Sequence, residues 1–140
     1  MNRVNRIFYL FFLLTIFFSC EEQGLFVKCP DCTAEEPETA ELEINFDVGV
    51  YTIPFPIKIY EGNLEDSILY KTLAGGGTRT TTKVPLNKKY TVTATYYIAG
   101  SYYVTVDSAY PRVTYTKDQC DDPCFFVYDR IVDLRLKYGK

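Results

Sequence analysis

The chain reads as an all-β protein: a single antiparallel β-sandwich of seven or eight short strands, preceded by a leader and a tether. Three observations point there. Apolar residues recur at every second position in segment after segment, the period of a half-buried strand. Turn formers such as Pro54, Gly75-Gly76-Gly77 and Ala99-Gly100 separate these segments at short intervals. No segment sustains a helical period. The boundaries fall at residues 1–19 (leader), 20–40 (tether) and 41–140 (sandwich). Without the leader, 121 residues remain of 140, enough for one domain with a real core and too few for two.

In the leader a basic tip, Arg3 and Arg6, precedes an apolar run from Ile7 to Phe18, then Ser19, Cys20, Glu21 and Glu22. That order matches a secretory signal peptide. A run of about a dozen residues is short of the ~20 that span a bilayer. Phe17-Phe18-Ser19-Cys20 resembles the processing site of bacterial lipoproteins, although Phe17 stands where that family usually has Leu. The resemblance implies that Cys20 is acylated and anchors the chain in the membrane. Phe-rich leaders ending Ser-Cys are similar to those of the Bacteroidota, in whose lipoproteins acidic residues after the cysteine direct surface display. Glu21 and Glu22 resemble a short form of that signal. The implied location is the outer membrane, at the cell surface or on its periplasmic face.

The tether is rich in Glu and Pro and has few apolar residues beyond Val27, which favours an extended, solvated spacer. It also carries the acidity of the chain. The formal charge is −3, with 15 basic and 18 acidic residues, and eight of those acids lie between Glu21 and Glu43 with Lys28 as the one base. From Ile44 onward the chain is nearly neutral. A body without basic clusters speaks against nucleic acid as a partner.

The strands follow in order. Leu42, Ile44, Phe46 and Val48 share one face, and Glu41, Glu43, Asn45 and Asp47 the other. Phe55, Ile57 and Ile59 repeat the pattern after Pro54. Ile68–Leu73 forms a third strand, closed by the glycine triplet as a turn. Thr78–Val84, β-branched and polar, suits a sheet edge. Tyr90, Val92, Ala94 and Tyr96 face inward while Thr91, Thr93 and Thr95 face out, and the turn at Ala99-Gly100 returns the chain into Tyr102–Asp107. Val113–Thr116 follows, then a cysteine loop and one long closing strand, Phe125–Tyr138. The stretch Val84-Pro85-Leu86-Asn87-Lys88-Lys89-Tyr90-Thr91-Val92 resembles the tyrosine corner of fibronectin type III and other immunoglobulin-like sandwiches. There a tyrosine at the start of a strand bonds back to the loop backbone. The resemblance implies that role for Tyr90 and an Ig-like fold; a tyrosine merely packed at a strand entry is the alternative.

The chain contains no histidine and no tryptophan. Without histidine it lacks the commonest general base, the Ser-His and Cys-His pairs and the imidazole metal ligand. No paired acids stand in a glycosidase-like setting, so the composition speaks against an enzyme, and no cofactor is expected. Four cysteines remain beside Cys20: Cys29 and Cys32 in Cys-Pro-Asp-Cys, and Cys120 and Cys124 in Cys-Asp-Asp-Pro-Cys. In an exported chain they read as two disulfides with three connectivities. Bonds between the clusters are preferred, because each closes a loop of roughly ninety residues and constrains the unfolded chain by ~4 kcal/mol for the first. Local pairs, a four-thiolate zinc site and a thiol-redox pair are the alternatives.

Tyrosine is abundant, with thirteen residues, and four of them flank the hairpin turn at Ala99-Gly100. Each doublet must send one ring to each sheet face, and rings expected to point outward, Tyr97 and Tyr103, are candidates for stacking on a glycan or anchoring an envelope protein. The expectation is therefore a non-catalytic envelope lipoprotein with a binding or structural module. A small zinc-binding or thiol-redox protein is the alternative.

Overall fold

The computed structural model describes residues 27–47 and 54–136. The leader, Cys20, Glu21, Glu22 and Val48 lie outside the described residues, as do Lys137 and Tyr138 at the end of the expected closing strand. Nine strands are present among the described residues: β1 (Thr39–Asn45), β2 (Phe55–Glu61), β3 (Ile68–Gly75), β4 (Arg79–Pro85), β5 (Tyr90–Ile98), β6 (Ser101–Ala109), β7 (Arg112–Thr116), β8 (Cys124–Tyr128) and β9 (Ile131–Asp133). They form a four-stranded sheet, β3-β2-β5-β6, a three-stranded sheet, β4-β1-β9, and a two-stranded hairpin, β7-β8. The two larger sheets close on one core as a β-sandwich.

Alternation decides which side chains meet. Leu42, Ile44 and Phe46 from β1 and its end, Val84 from β4, and Val132 and Leu134 from β9 and its end are buried. Against them pack Phe55, Ile57 and Ile59 of β2 and Tyr90, Val92, Ala94 and Tyr96 of β5. Phe55 sits between two aromatic neighbours, with its ring centroid 5.1 Å from Phe46 and 4.8 Å from Tyr96. Thr91 and Thr93 face away from this core yet are still buried on the outer surface of the sheet. One reason is local: the Thr91 hydroxyl donates to the Gly62 carbonyl at 2.7 Å.

The structure corrects four expectations. The closing strand is two strands, because Asp129 adopts φ 54, a left-handed conformation that Asp tolerates better than most residues. Hence the described residues form nine strands and not seven or eight. The sandwich is also not wholly antiparallel: β9 pairs parallel with β1, with Ile44 opposite Val132. Gly75 belongs to β3, where it pairs with Phe55, and not to the turn; a Cβ there would run into the Phe55 ring, and the left-handed turn residue is Gly77, at φ 74. Finally, β1 begins at Thr39, and Ala40, assigned to the tether, is buried.

Candidate functional site

Two regions of the fold gather the residues singled out in the sequence. The first is the cysteine cluster. Lys28 ends in extended backbone, and Cys29–Asp31 makes a single 3-10 turn with proline in its first positions. This brings Cys29 and Cys32 together beside the loop that joins β7 to β8. Cys29 is bonded to Cys120 and Cys32 to Cys124, with Cα separations of 5.6 and 5.5 Å, inside the usual disulfide range. The bonds span sequence separations of 91 and 92 residues. Backbone contacts reinforce the junction: the Thr33 amide donates to the Phe125 carbonyl at 2.9 Å, and the Phe125 amide donates back to Thr33 at 2.8 Å. Arg130 also reaches Asp31 at 3.4 Å, a partly exposed pair of small energetic weight. The end of the tether thus adds a short strand-like bridge to β8.

The four sulfurs form one compact group. Cys32 Sγ lies 3.9 Å from Cys120 Sγ across the two bonds, and the Cys32, Cys120 and Cys124 sulfurs all lie within 4.8 Å of one another. Cys124 is buried, Cys32 and Cys120 are half-buried, and Cys29 is exposed. Paired as disulfides, the four cysteines offer neither a nucleophile nor a metal ligand.

The second region is the β5-β6 hairpin with the corner beneath it. At the corner, the Tyr90 hydroxyl donates to the Pro85 carbonyl at 3.1 Å, tying the start of β5 to the end of β4. Burial, with Tyr70 and Glu61 adding to it, pushes the Tyr90 phenol from 10.0 up to about 12. Its ring packs edge-on to Tyr70, with centroids 5.4 Å apart.

At the far end of β5, Ala99 and Gly100 have φ 48 and 85, the left-handed pair that a type I′ hairpin turn demands. A two-residue turn pairs Ile98 with Ser101, so Tyr97 lies opposite Tyr102 and Tyr96 opposite Tyr103. This corrects the face of one candidate. Tyr97 and Tyr102 share the outer face, 60% and 76% exposed, with ring centroids 4.8 Å apart. Tyr103 is 43% exposed but stands on the inner face, opposite buried Tyr96, at the margin of the sheet. The error was one of parity: an odd-numbered residue of β5 faces the same way as an even-numbered residue of β6.

Sequence reasoning missed three features. Tyr96 sends its hydroxyl to the Leu134 carbonyl at 2.8 Å, a buried link between the sheets. Asp107 accepts from the Asp133 amide at 2.8 Å and Asp47 accepts from the Leu136 amide, so two carboxylates hold β9 and the residues after it. Arg112 lies between the Tyr110 and Tyr128 rings, 5.0 and 5.1 Å from their centroids, which stiffens the β7-β8 hairpin. The Tyr96, Asp107 and Asp47 contacts have no local signal, because they join residues distant in the chain, and the Tyr128 side of the Arg112 contact crosses between strands. Among the described residues no helix is long and apolar enough to cross a membrane. No family model, curated protein or solved structure matches this chain.

Proposed function

We propose that this chain is a non-catalytic envelope lipoprotein, anchored through acylated Cys20 at the outer membrane and displayed at the cell surface with the help of Glu21 and Glu22. Its sandwich is an Ig-like module that binds an envelope protein or a glycan. The observation that carries the binding reading is the Tyr97–Tyr102 pair. Two neighbouring rings, both more than half exposed and tilted 46° to each other, offer adjacent aromatic faces to solvent, suited to stacking on a sugar or seating in a protein pocket. They sit at the turn end of β5 and β6, opposite the end where Tyr110 and Pro111 lead to the cysteine-bearing hairpin.

The Ig-like assignment is supported by strand order. β1 pairs with β4 while β2, β5 and β6 lie in the facing sheet, as strands B and E face C, F and G in immunoglobulin-like folds. The Tyr90–Pro85 bond stands where such folds have their tyrosine corner. β9 takes the place beside β1 that the first strand has in those folds, but it is supplied from the C-terminal side and runs parallel.

Replacing Tyr97 and Tyr102 together by Ala is expected to abolish retention of the protein on immobilised oligosaccharides or solubilised envelope proteins, with its melting temperature little changed. Undiminished retention on every probe that holds wild type rejects the platform. Membrane fractionation tests the anchor: Cys20→Ser should leave the membrane fraction. The zinc or thiol-redox alternative draws on the compact four-sulfur group. The unreduced mass of the mature protein separates the two, since a loss of four protons supports structural disulfides and bound zinc supports the alternative.

A further inference from the structure

The free edge of β6 points to self-association, an inference that goes beyond partner binding and stands independently of it. β6 is the outermost strand of the four-stranded sheet. It pairs with β5 over nine consecutive residues without a register shift. Edges of this length are templates for another strand unless something blunts them, and the other edges of the two large sheets are blunted. β4 carries Arg79, Lys83 and Pro85, and β9 is three residues long. β3 carries Lys71 and meets β2 through a register shift at Ile59 and Tyr60. β6, Ser-Tyr-Tyr-Val-Thr-Val-Asp-Ser-Ala, has no Lys, Arg or Pro. Its one charge, Asp107, is engaged in holding the Asp133 amide.

Hairpin geometry says which backbone groups are free. In a two-residue hairpin the residues flanking the turn, Ile98 and Ser101, form a hydrogen-bonded pair, and such pairs then recur at every second residue. Ser101, Tyr103, Thr105 and Asp107 therefore direct their N–H and C=O groups at β5. Tyr102, Val104, Val106 and Ser108 direct theirs at the open edge. On the outer face these same even-numbered positions carry Tyr102, Val104 and Val106, which are 76%, 60% and 51% exposed.

We infer that β6 pairs antiparallel with β6 of a second copy about a two-fold axis at Val104, joining two four-stranded sheets into one of eight. The strand is complementary to itself in that register. Val104 meets Val104 of the second copy, and Tyr102 meets Val106, an aromatic against a β-branched residue, a favourable cross-strand combination. Asp107 falls opposite Ser101, so no like charges face each other. The pairing satisfies the free backbone groups of residues 102, 104 and 106, covers the exposed valines, and closes after two copies because the contact is isologous. It also brings the two Tyr97–Tyr102 pairs onto one continuous face.

The experiment is sedimentation analysis of the full mature chain in detergent, across a dilution series, beside Val104→Pro and Val104→Lys. Proline at 104 removes an N–H that faces the open edge and none of those bonded to β5, so the hairpin tolerates it. Wild type is expected at twice the monomer mass, dissociating on dilution. Both variants are expected at monomer mass, with melting temperature and disulfides retained. A monomeric wild type at every concentration overturns the inference, as do variants that stay dimeric or an open-ended polymer of wild type. Should the proline variant unfold, the lysine variant alone decides. The readout is mass, so the outcome is separate from that of the retention experiment on Tyr97 and Tyr102.

Discussion

Tyr90 fastens one end of β5 through a single hydroxyl, and the consequences can be measured at that atom. Tyr90→Phe keeps the buried ring but leaves the Pro85 carbonyl without its donor, which costs about 1 kcal/mol. Tyr97→Phe, on the exposed face, should cost much less, and urea melts of the two variants check the contrast. The raised phenol adds a pH signature. An unfolded tyrosine loses its proton near 10.0, while folded Tyr90 keeps its proton up to about 12. Stability from this group is therefore complete below pH 10 and falls as pH rises through that window. Melts on either side of it should show a smaller fall in Tyr90→Phe than in wild type. Gly75 is constrained from the other direction. Its missing Cβ is the space that the Phe55 ring occupies, and that ring is itself held between Phe46 and Tyr96. Gly75→Ala is expected to destabilise by about 1–3 kcal/mol through overpacking, read as a lower urea midpoint with an unchanged slope.

Among the elements, strands with clean alternation were legible from sequence, because period two is a local property. Leu42, Ile44 and Phe46 on β1, and Tyr90, Val92, Ala94 and Tyr96 on β5, are buried where the pattern put them. The end of the chain was not legible in this way. Phe125, Phe126, Val127 and Tyr128 are apolar in succession and hide the break at Asp129, and the parallel pairing of β9 with β1 joins residues nearly ninety positions apart. β9 is three residues long, and its backbone pairing with β1 is extended at both ends and joined by a side-chain contact. Beyond the ladder, the Glu43 amide donates to Arg130 and the Leu134 amide to Asn45, and Asp107 receives the Asp133 amide. Asp107→Ala leaves that amide short of a charged acceptor, at a cost of about 1.5–3 kcal/mol. Hydrogen exchange should quicken at Val132 and Leu134 more than in β5; equal changes in both strands would mean that Asp107 acts on the fold as a whole and not on β9.

For the whole molecule, the decisive feature is the pair of long-range cross-links. Cysteine spacing and compartment made disulfides the natural expectation from sequence, but which sulfurs meet depends on the position of the β7-β8 loop, which is a product of the complete fold. The hydrophobic core lies apart from the clamp, since none of the four cysteines belongs to the main buried cluster. Cleavage between Ala34 and Glu38, an exposed stretch apart from half-buried Pro37, should leave the N-terminal fragment attached on a non-reducing gel and release it on reduction. Release without reductant would show that the clusters are not joined. Reduction of the uncut chain should free residues 27–33 while most of the sandwich stays folded.

These cross-links also determine how the molecule responds to mechanical load. A pull on the segment preceding Cys29, opposed at the C-terminal end, passes from Cys29 and Cys32 straight across to Cys120 and Cys124. The residues enclosed between them, including β1 to β6, lie in a closed loop outside the line of tension. At ~3.3–3.6 Å per extended residue, a loop of that size withholds roughly 300 Å of contour length. The segment enclosed by the cross-links therefore adds no length to the oxidised chain, and the tyrosine-bearing hairpin stays folded under a force that would unravel the reduced chain from β1 inward.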